Sequence, residues 1–273
     1  MKAKNIMQKE IRVVDEKKGV VQITLPDERW YAWPSENKTT GLPEYVFDPS
    51  VTWITSYYPK GIELIKWIAN KGFDEAERIK IEAGDKGSLV HRAAEMLLKG
   101  ETLRLDTKIA DHEMTANEWY CIWSFSKWYV EAGNPKVIAI EQTVRNKEHG
   151  YSGTLDMIYE APDGLHLLDI KTSKSIWPSH ELQVSALKAA YEAETKKPIV
   201  ALEILQIGYE RNKAGYKLTP VDDQFDIFLA VKKIWAKENQ NVNPPQREYP
   251  LNITIKQQPK NGVQLQPNTK ASK

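Results

Sequence analysis

The chain has a single cysteine, Cys121, in 273 residues. That excludes an intramolecular disulfide, a cysteine-ligated zinc site and an iron–sulfur cluster. An excess of one charge is missing too. The net charge is +1, so no global field announces a nucleic-acid partner, and such affinity would have to come from a local basic groove. No segment approaches the roughly 18 uninterrupted apolar residues of a membrane span. The opening Met1-Lys-Ala-Lys-Asn-Ile-Met-Gln-Lys-Glu10 lacks the apolar run of a signal peptide. The expectation is a soluble, cytoplasmic protein with no membrane contact. No Gly-x-x-x-x-Gly-Lys-Ser/Thr loop exists, so no ATP motor is expected. There is no internal repeat.

What is present is a real core, at 41% apolar and 10% aromatic residues, and one unusual hairpin. Gly153-Thr-Leu-Asp156 and Leu168-Asp169-Ile-Lys171-Thr-Ser-Lys174 read as two strands joined at Ala161-Pro162-Asp163-Gly164. If Pro162 and Asp163 are the two loop residues, Ala161 faces Gly164. Stepping back along both strands then sets Asp156 across from Asp169, with Cβ atoms roughly 4.5–5.5 Å apart on one face. Lys171, two residues on, points to the same face. Two carboxylates this close repel unless a cation or proton lies between them.

Around the hairpin, Ile11–Val14, Val20–Leu25 and Arg29–Trp33 suggest a small β-rich N-terminal module over residues 1–48. Pro34 to Pro43 reads as a loop. A helix is expected near Gly61–Asn70, capped by Gly72, and two more at Phe73–Ala83 and Lys86–Lys99, parted by Gly84. Residues 101–112 read as a loop. Thr115-Ala-Asn-Glu118 is a capping-box pattern opening a helix rich in Trp and Tyr. Core packing is the plainer reading for most of those rings, and base stacking the functional one. Val137–Arg145, Tyr151–Glu160 and Leu165–Lys171 form a meander. A helix at Pro178–Glu194, a strand at Ile199–Tyr209 and a helix at Val221–Glu238 follow. The middle strands are apolar on both faces, hence covered on both. The fold class expected is α/β: a mixed central sheet flanked by helices, with a helical region before it, in a domain spanning 49–240. Residues 241–273 are polar, with one short strand at Leu251–Ile255 and expected disorder beyond Gln257.

Asp156, Asp169 and the main-chain carbonyl of Ile170 offer hard oxygen ligands suited to Mg²⁺ or Mn²⁺. A metal so held can polarise a phosphoryl oxygen and generate hydroxide near neutral pH. Lys171 could orient or deprotonate the attacking water, or stabilise developing charge. The plain structural alternative is a cross-strand salt bridge. It fits poorly on apolar strands, where two acids against one lysine leave an unbalanced buried charge. Lys174, Arg145 and Lys147 lie near enough in sequence to hold phosphates, or else to be solvated loop charges.

Gly153-x-x-Asp156, then Asp169-Ile-Lys171-Thr-Ser-Lys174, then a helix bearing Gln183, resembles the PD-(D/E)XK nuclease superfamily. It is most similar to the RecB-like branch, to which Gly87-Ser-Leu-Val-His91 also conforms. The run from Pro49-Ser-Val-Thr through Trp67 to His91, with Leu25-Pro-Asp-Glu-Arg-Trp-Tyr before it, looks like the mitochondrial genome maintenance exonuclease group and related phage exonucleases. The resemblance implies a restriction-endonuclease-like core. It makes Asp156 and Asp169 metal ligands, Lys171 the catalytic lysine, His91 a further ligand, and Gln183 an orienting residue behind the site. The family often has a tyrosine four residues after that glutamine. Here Leu187 stands there, and Tyr191 is the available substitute. Glu141 matches a family glutamate. If Arg145 pairs with Tyr151, however, Glu141 falls opposite Leu155, on the face away from Asp156, and one residue of slip would reverse that. The implied activity is a metal-dependent DNA exonuclease of recombination, repair or phage replication. It would act on single-stranded DNA or duplex ends, in a bacterial or phage-infected cytoplasm, with a single-strand-binding or annealing protein as a further partner. The N-terminus does not support mitochondrial import. The alternatives are an endonuclease of the same superfamily and a non-catalytic DNA-binding module.

Overall fold

In the computed structural model, residues 10–25, 28–39, 41 and 43–242 are described. The expected strand at Leu251–Ile255 and the polar tail lie outside them. The main sheet has five strands: β7 (Lys136–Asn146), β8 (Tyr151–Ala161), β9 (Gly164–Lys171), β10 (Ile199–Ile207) and β11 (Tyr216–Val221). Their order is β11-β10-β9-β8-β7. All neighbours run antiparallel except β9 and β10. That parallel pair needs a crossover, which α5 (Pro178–Thr195) supplies. Pro178 sits in its first turn, where the missing N–H is no loss.

The hairpin turn is two residues long, and Ala161 pairs with Gly164 as the sequence predicts. Leu155, Met157, Ile158, Leu167 and Leu168 are all fully buried, so the central strands are covered on both faces. One layer comes from α3 (Phe73–Leu98) and α4 (Ala116–Glu131). They bury Val90, Ala93, Ala94, Ile122, Phe125 and Trp128 against Met157, Tyr159, Leu168 and Ile170. The other is α5, with α1 (Val51–Thr55) and α6 (Phe225–Glu238) beside it. Gly153 explains how closely this layer approaches. A Cβ there would lie 2.6 Å from Leu187 Cδ2 and 3.1 Å from Val51 Cγ2. The glycine is thus required by packing.

The N-terminal module is a four-stranded antiparallel sheet: β1 (Glu10–Asp15), β2 (Val20–Thr24), β3 (Arg29–Glu36) and β4 (Pro43–Pro49). Its fourth strand was not visible in the sequence. It docks on β7 and β8 through a polar seam. Arg145 Nε donates to Asp48 Oδ2 at 2.6 Å, Ser152 Oγ donates to the same oxygen at 2.8 Å, and Trp33 Nε1 donates to Ser152 Oγ at 2.8 Å. Arg145, a candidate phosphate contact by sequence, is therefore committed to this seam.

Other expectations change. Instead of breaking at Gly84, α3 runs on through it, because one mid-helix glycine costs only about 1 kcal/mol relative to alanine. Within 101–112 lies a tiny hairpin, β5 (Lys108–Ile109) with β6 (His112–Glu113). It turns on Ala110 and Asp111, both in the left-handed region with φ of 50° and 62°. Val221 ends β11, and α6 begins only at Phe225, whose N–H bonds Asp223 Oδ1 at 3.1 Å. The remaining helix, α2 (Ile62–Lys71), has the expected Gly72 cap and buries no residue. Among the described residues, no helix is long and apolar enough to cross a membrane.

Gly153→Ala tests the packing. The enforced shift of Leu187 or Val51 should destabilise the protein by ~1–3 kcal/mol, read as a lower urea midpoint. An unchanged midpoint would show that the layer has slack.

Candidate metal centre

Pairing of β8 with β9 runs from Ala161–Gly164 to Met157–Leu168 and stops there. One step on, Asp156 reaches beside Asp169, and its side chain replaces the next rung. The Ile170 N–H donates to Asp156 Oδ2 at 2.7 Å. The other oxygen, Oδ1, lies 3.3 Å from His91 Nδ1. His91 arrives on α3, where neighbouring Val90, Ala93 and Ala94 anchor the helix in the core.

Glu141, left open in the sequence, joins them through the one-residue slip considered there. The turn between β7 and β8 closes at Asn146–Tyr151, one residue later than expected. Asn146 Oδ1 accepts the His149 N–H at 3.0 Å and stabilises this longer strand. Gln142 then pairs with Leu155 and Ile140 with Met157, leaving Glu141 level with Asp156. The Glu141 backbone is in the left-handed region, φ 45°, where a non-glycine residue is strained. Its Oε1 lies 3.6 Å from His91 Nδ1.

One ligand atom each from His91, Glu141 and Asp156 falls within 4.8 Å of the others. Adjacent donors roughly 2.1 Å from one octahedral ion stand about 3 Å apart. The 3.3 and 3.6 Å gaps from His91 are close to that spacing. Asp169 lies outside this tight trio and is 1% exposed. Neither of its oxygens has a hydrogen-bond partner. Lys171 Nζ approaches Oδ2 to 2.5 Å as a charge contact, without hydrogen-bond alignment. A buried carboxylate with unsatisfied lone pairs beside three N/O donors suits a hard or borderline divalent ion.

The charges are mutually held. Burial alone would lower the His91 pKa, but Asp156 and Glu141 outweigh it and push it up to about 10. Burial would raise Asp156. The His91 charge, Lys171 and the Ile170 N–H overcome that and hold it below the usual range. Glu141 and Asp169 go the other way. Burial raises both, and Asp156 adds to each, against His91 and Lys171 respectively. Lys171 loses to burial but gains more from Asp169 and Asp156, so it stays an ammonium. In this state it is a donor and not a base.

The other candidates separate. Gln183 sits half-buried on α5, and its side chain makes no hydrogen bond among the described residues. One turn before it stands His180, which the sequence reading passed over. Burial and then the Lys171 charge push its imidazole down to about 3, so it is neutral, and its Nδ1 accepts the Trp177 N–H at 3.3 Å. The i, i+3 spacing from Gln183 was the available signal. Tyr191 is buried in the core. Lys174 is exposed, 3.9 Å from Glu210. For Ile170, the N–H is the group engaged with Asp156.

No family model matches the chain, and no curated protein does. Among solved structures, a similar chain is that titled "Crystal structure of SSO0001", at 14% identity, covering 58% of this chain and 87% of that one with a TM-score of 0.30.

The His91 charge sets a pH signature for the metal-free protein. Its folded pKa lies above the ordinary 6.5, so its stabilising contribution is full below that value and fades as pH rises towards about 10. His91→Gln should therefore unfold at lower urea than wild type at pH 6, with the gap narrowing steadily to pH 10. A gap independent of pH would remove the charged His91.

Proposed function

We propose that the chain is a metal-dependent deoxyribonuclease that degrades linear DNA from an end. The observation that carries this reading is Asp169, buried with Oδ2 against the Lys171 ammonium and Oδ1 without any partner, on the strand beside the one that brings Asp156 to His91 and Glu141. The pattern Gly153-x-x-Asp156, Asp169-Ile-Lys171, with an upstream His91, supports it as the motif set of RecB-like PD-(D/E)XK nucleases.

Mg²⁺ or Mn²⁺, held by His91, Asp156 and Asp169 with Glu141 beside them, would supply Lewis-acid activation of the phosphodiester and of the attacking water. The residues themselves do the rest. Asp156 is fixed by the Ile170 N–H, which limits its rotation and pre-organises the site. Lys171 carries a proton held in place by Asp169 and Asp156, so it donates to a non-bridging phosphate oxygen and offsets the charge that grows there. His180, neutral and one turn before Gln183, is close enough to feel the Lys171 charge. Because His91 is protonated in the metal-free state, ion binding has to expel a proton.

Two measurements test the reading. End-labelled linear DNA and sealed circular DNA are incubated with Mg²⁺ or Mn²⁺. Loss of the linear form alone is expected. Cutting of circles would make the protein an endonuclease, and no cutting of either would end the enzymatic reading. Lys171→Ala and Asp169→Ala should each lower the rate at least ~100-fold with an unchanged circular dichroism spectrum, and full activity in either would undo the site assignment. Calorimetry of Mn²⁺ binding should show about tenfold tighter binding per pH unit between pH 6 and 8, from the displaced proton. A flat profile would mean that His91 is not a ligand.

A further inference from the structure

Helix α4 buries only part of its aromatic load. Phe125 and Trp128 are core residues, but Trp123 is 48% exposed, and Trp119 and Tyr120 are half-buried. Those three rings and Ala116 line an open cavity of about 400 Å³. Tyr120 also lines a second cavity, of about 340 Å³, whose wall includes Thr172, Ser173 and Lys174. The second cavity therefore begins at the residue after Lys171, at the end of β9. Tyr120 joins the two, with its ring 5.8 Å from that of Trp123.

The charge along this path is mostly positive. Lys86, Lys174 and Arg211 border the inner cavity, against Glu210. Lys127 Nζ lies 4.8 Å over the Trp123 ring, held there by the carbonyl of Ala214 at 3.1 Å. Aromatic faces beside cations, leading away from a buried acidic cluster, match an unpaired polynucleotide: its bases stack on rings and its phosphates meet the cations. A duplex fits badly, because its base faces are already stacked on one another.

We infer that the Tyr120–Trp119–Trp123 face of α4 is a stacking platform for single-stranded DNA, which tracks past Thr172–Lys174 towards Lys171. This rests on the nuclease reading for its direction, but binding can be read without cleavage. The probe is fluorescein-labelled dT20 against a blunt 20-base-pair duplex, with wild-type protein in Ca²⁺ and no Mg²⁺ or Mn²⁺. Wild type should bind dT20 at least ~10-fold tighter than the duplex, and Trp123→Ala should lose ~10-fold in dT20 affinity. Trp123→Phe, which keeps a ring face, should retain most of it. Val130→Ala, exposed on the same helix, should bind as wild type. Tighter binding of the duplex, or unchanged dT20 binding by both Trp123→Ala and Trp119→Ala, would overturn the platform. Absent cleavage with intact ring-dependent dT20 binding would instead overturn the nuclease reading and leave the platform standing.

Discussion

Everything near the site follows from the crowding of three carboxylates against two cations. Asp156, Glu141 and Asp169 cannot all be neutralised by His91 and Lys171, and while Glu141 is 25% exposed, Asp169 at 1% has no water to share its charge. The protein divides the burden unequally. Asp156 receives a backbone N–H and most of the imidazolium attraction, and it stays ionised. Asp169 has only the lysine, and Glu141 only a longer contact, 3.6 Å against 3.3 Å, to the same His91 Nδ1 that faces Asp156. The elements serve this arrangement. Central placement of β9 buries Asp169, the anchored stretch of α3 delivers His91, and Gly153 lets α5 close over β8 without a side chain between them.

The N-terminal sheet has a second role beside its own fold. β7 is the outer strand of the main sheet, and it carries Glu141. Lys18 reaches the Thr143 carbonyl and Glu194, and Thr143 Oγ1 donates to the Val14 carbonyl. With the Asp48–Arg145 pair, these contacts hold the strand just beyond its left-handed residue, at Thr143 and Arg145. Removing Asp48 would strand the Arg145 guanidinium in a setting where it is 15% exposed, the kind of loss that costs about 3–5 kcal/mol. Order in the candidate metal centre therefore reaches back to residues before position 50.

Much of this was legible in the sequence for identifiable reasons. Pro162-Asp163-Gly164 is a strong turn signal, so the β8–β9 register came out correctly. Thr115 and Glu118 do form a reciprocal cap. Strands apolar on both faces did prove central. The failures share a cause. The β7–β8 turn, Lys147-Glu148-His149-Gly150, has no feature that sets its length, and a one-residue difference moved Glu141 into the site. Ala110 and Asp111 adopt a turn conformation that Asn-Gly would have advertised. Gly84 looked like a stop, but the helix continued on both sides. Arg145 is basic and close to the motif in sequence, and nothing local reveals a buried aspartate almost a hundred residues earlier.

The backbone of Glu141 carries a further consequence. At φ 45° it occupies a region that glycine and asparagine enter more readily than glutamate does. Either substitution would ease the chain and also remove a carboxylate whose charge the folded state resists. A screen that rewards heat tolerance alone would be drawn to this position, and each apparent improvement there would take one member from the His91–Glu141–Asp156 cluster.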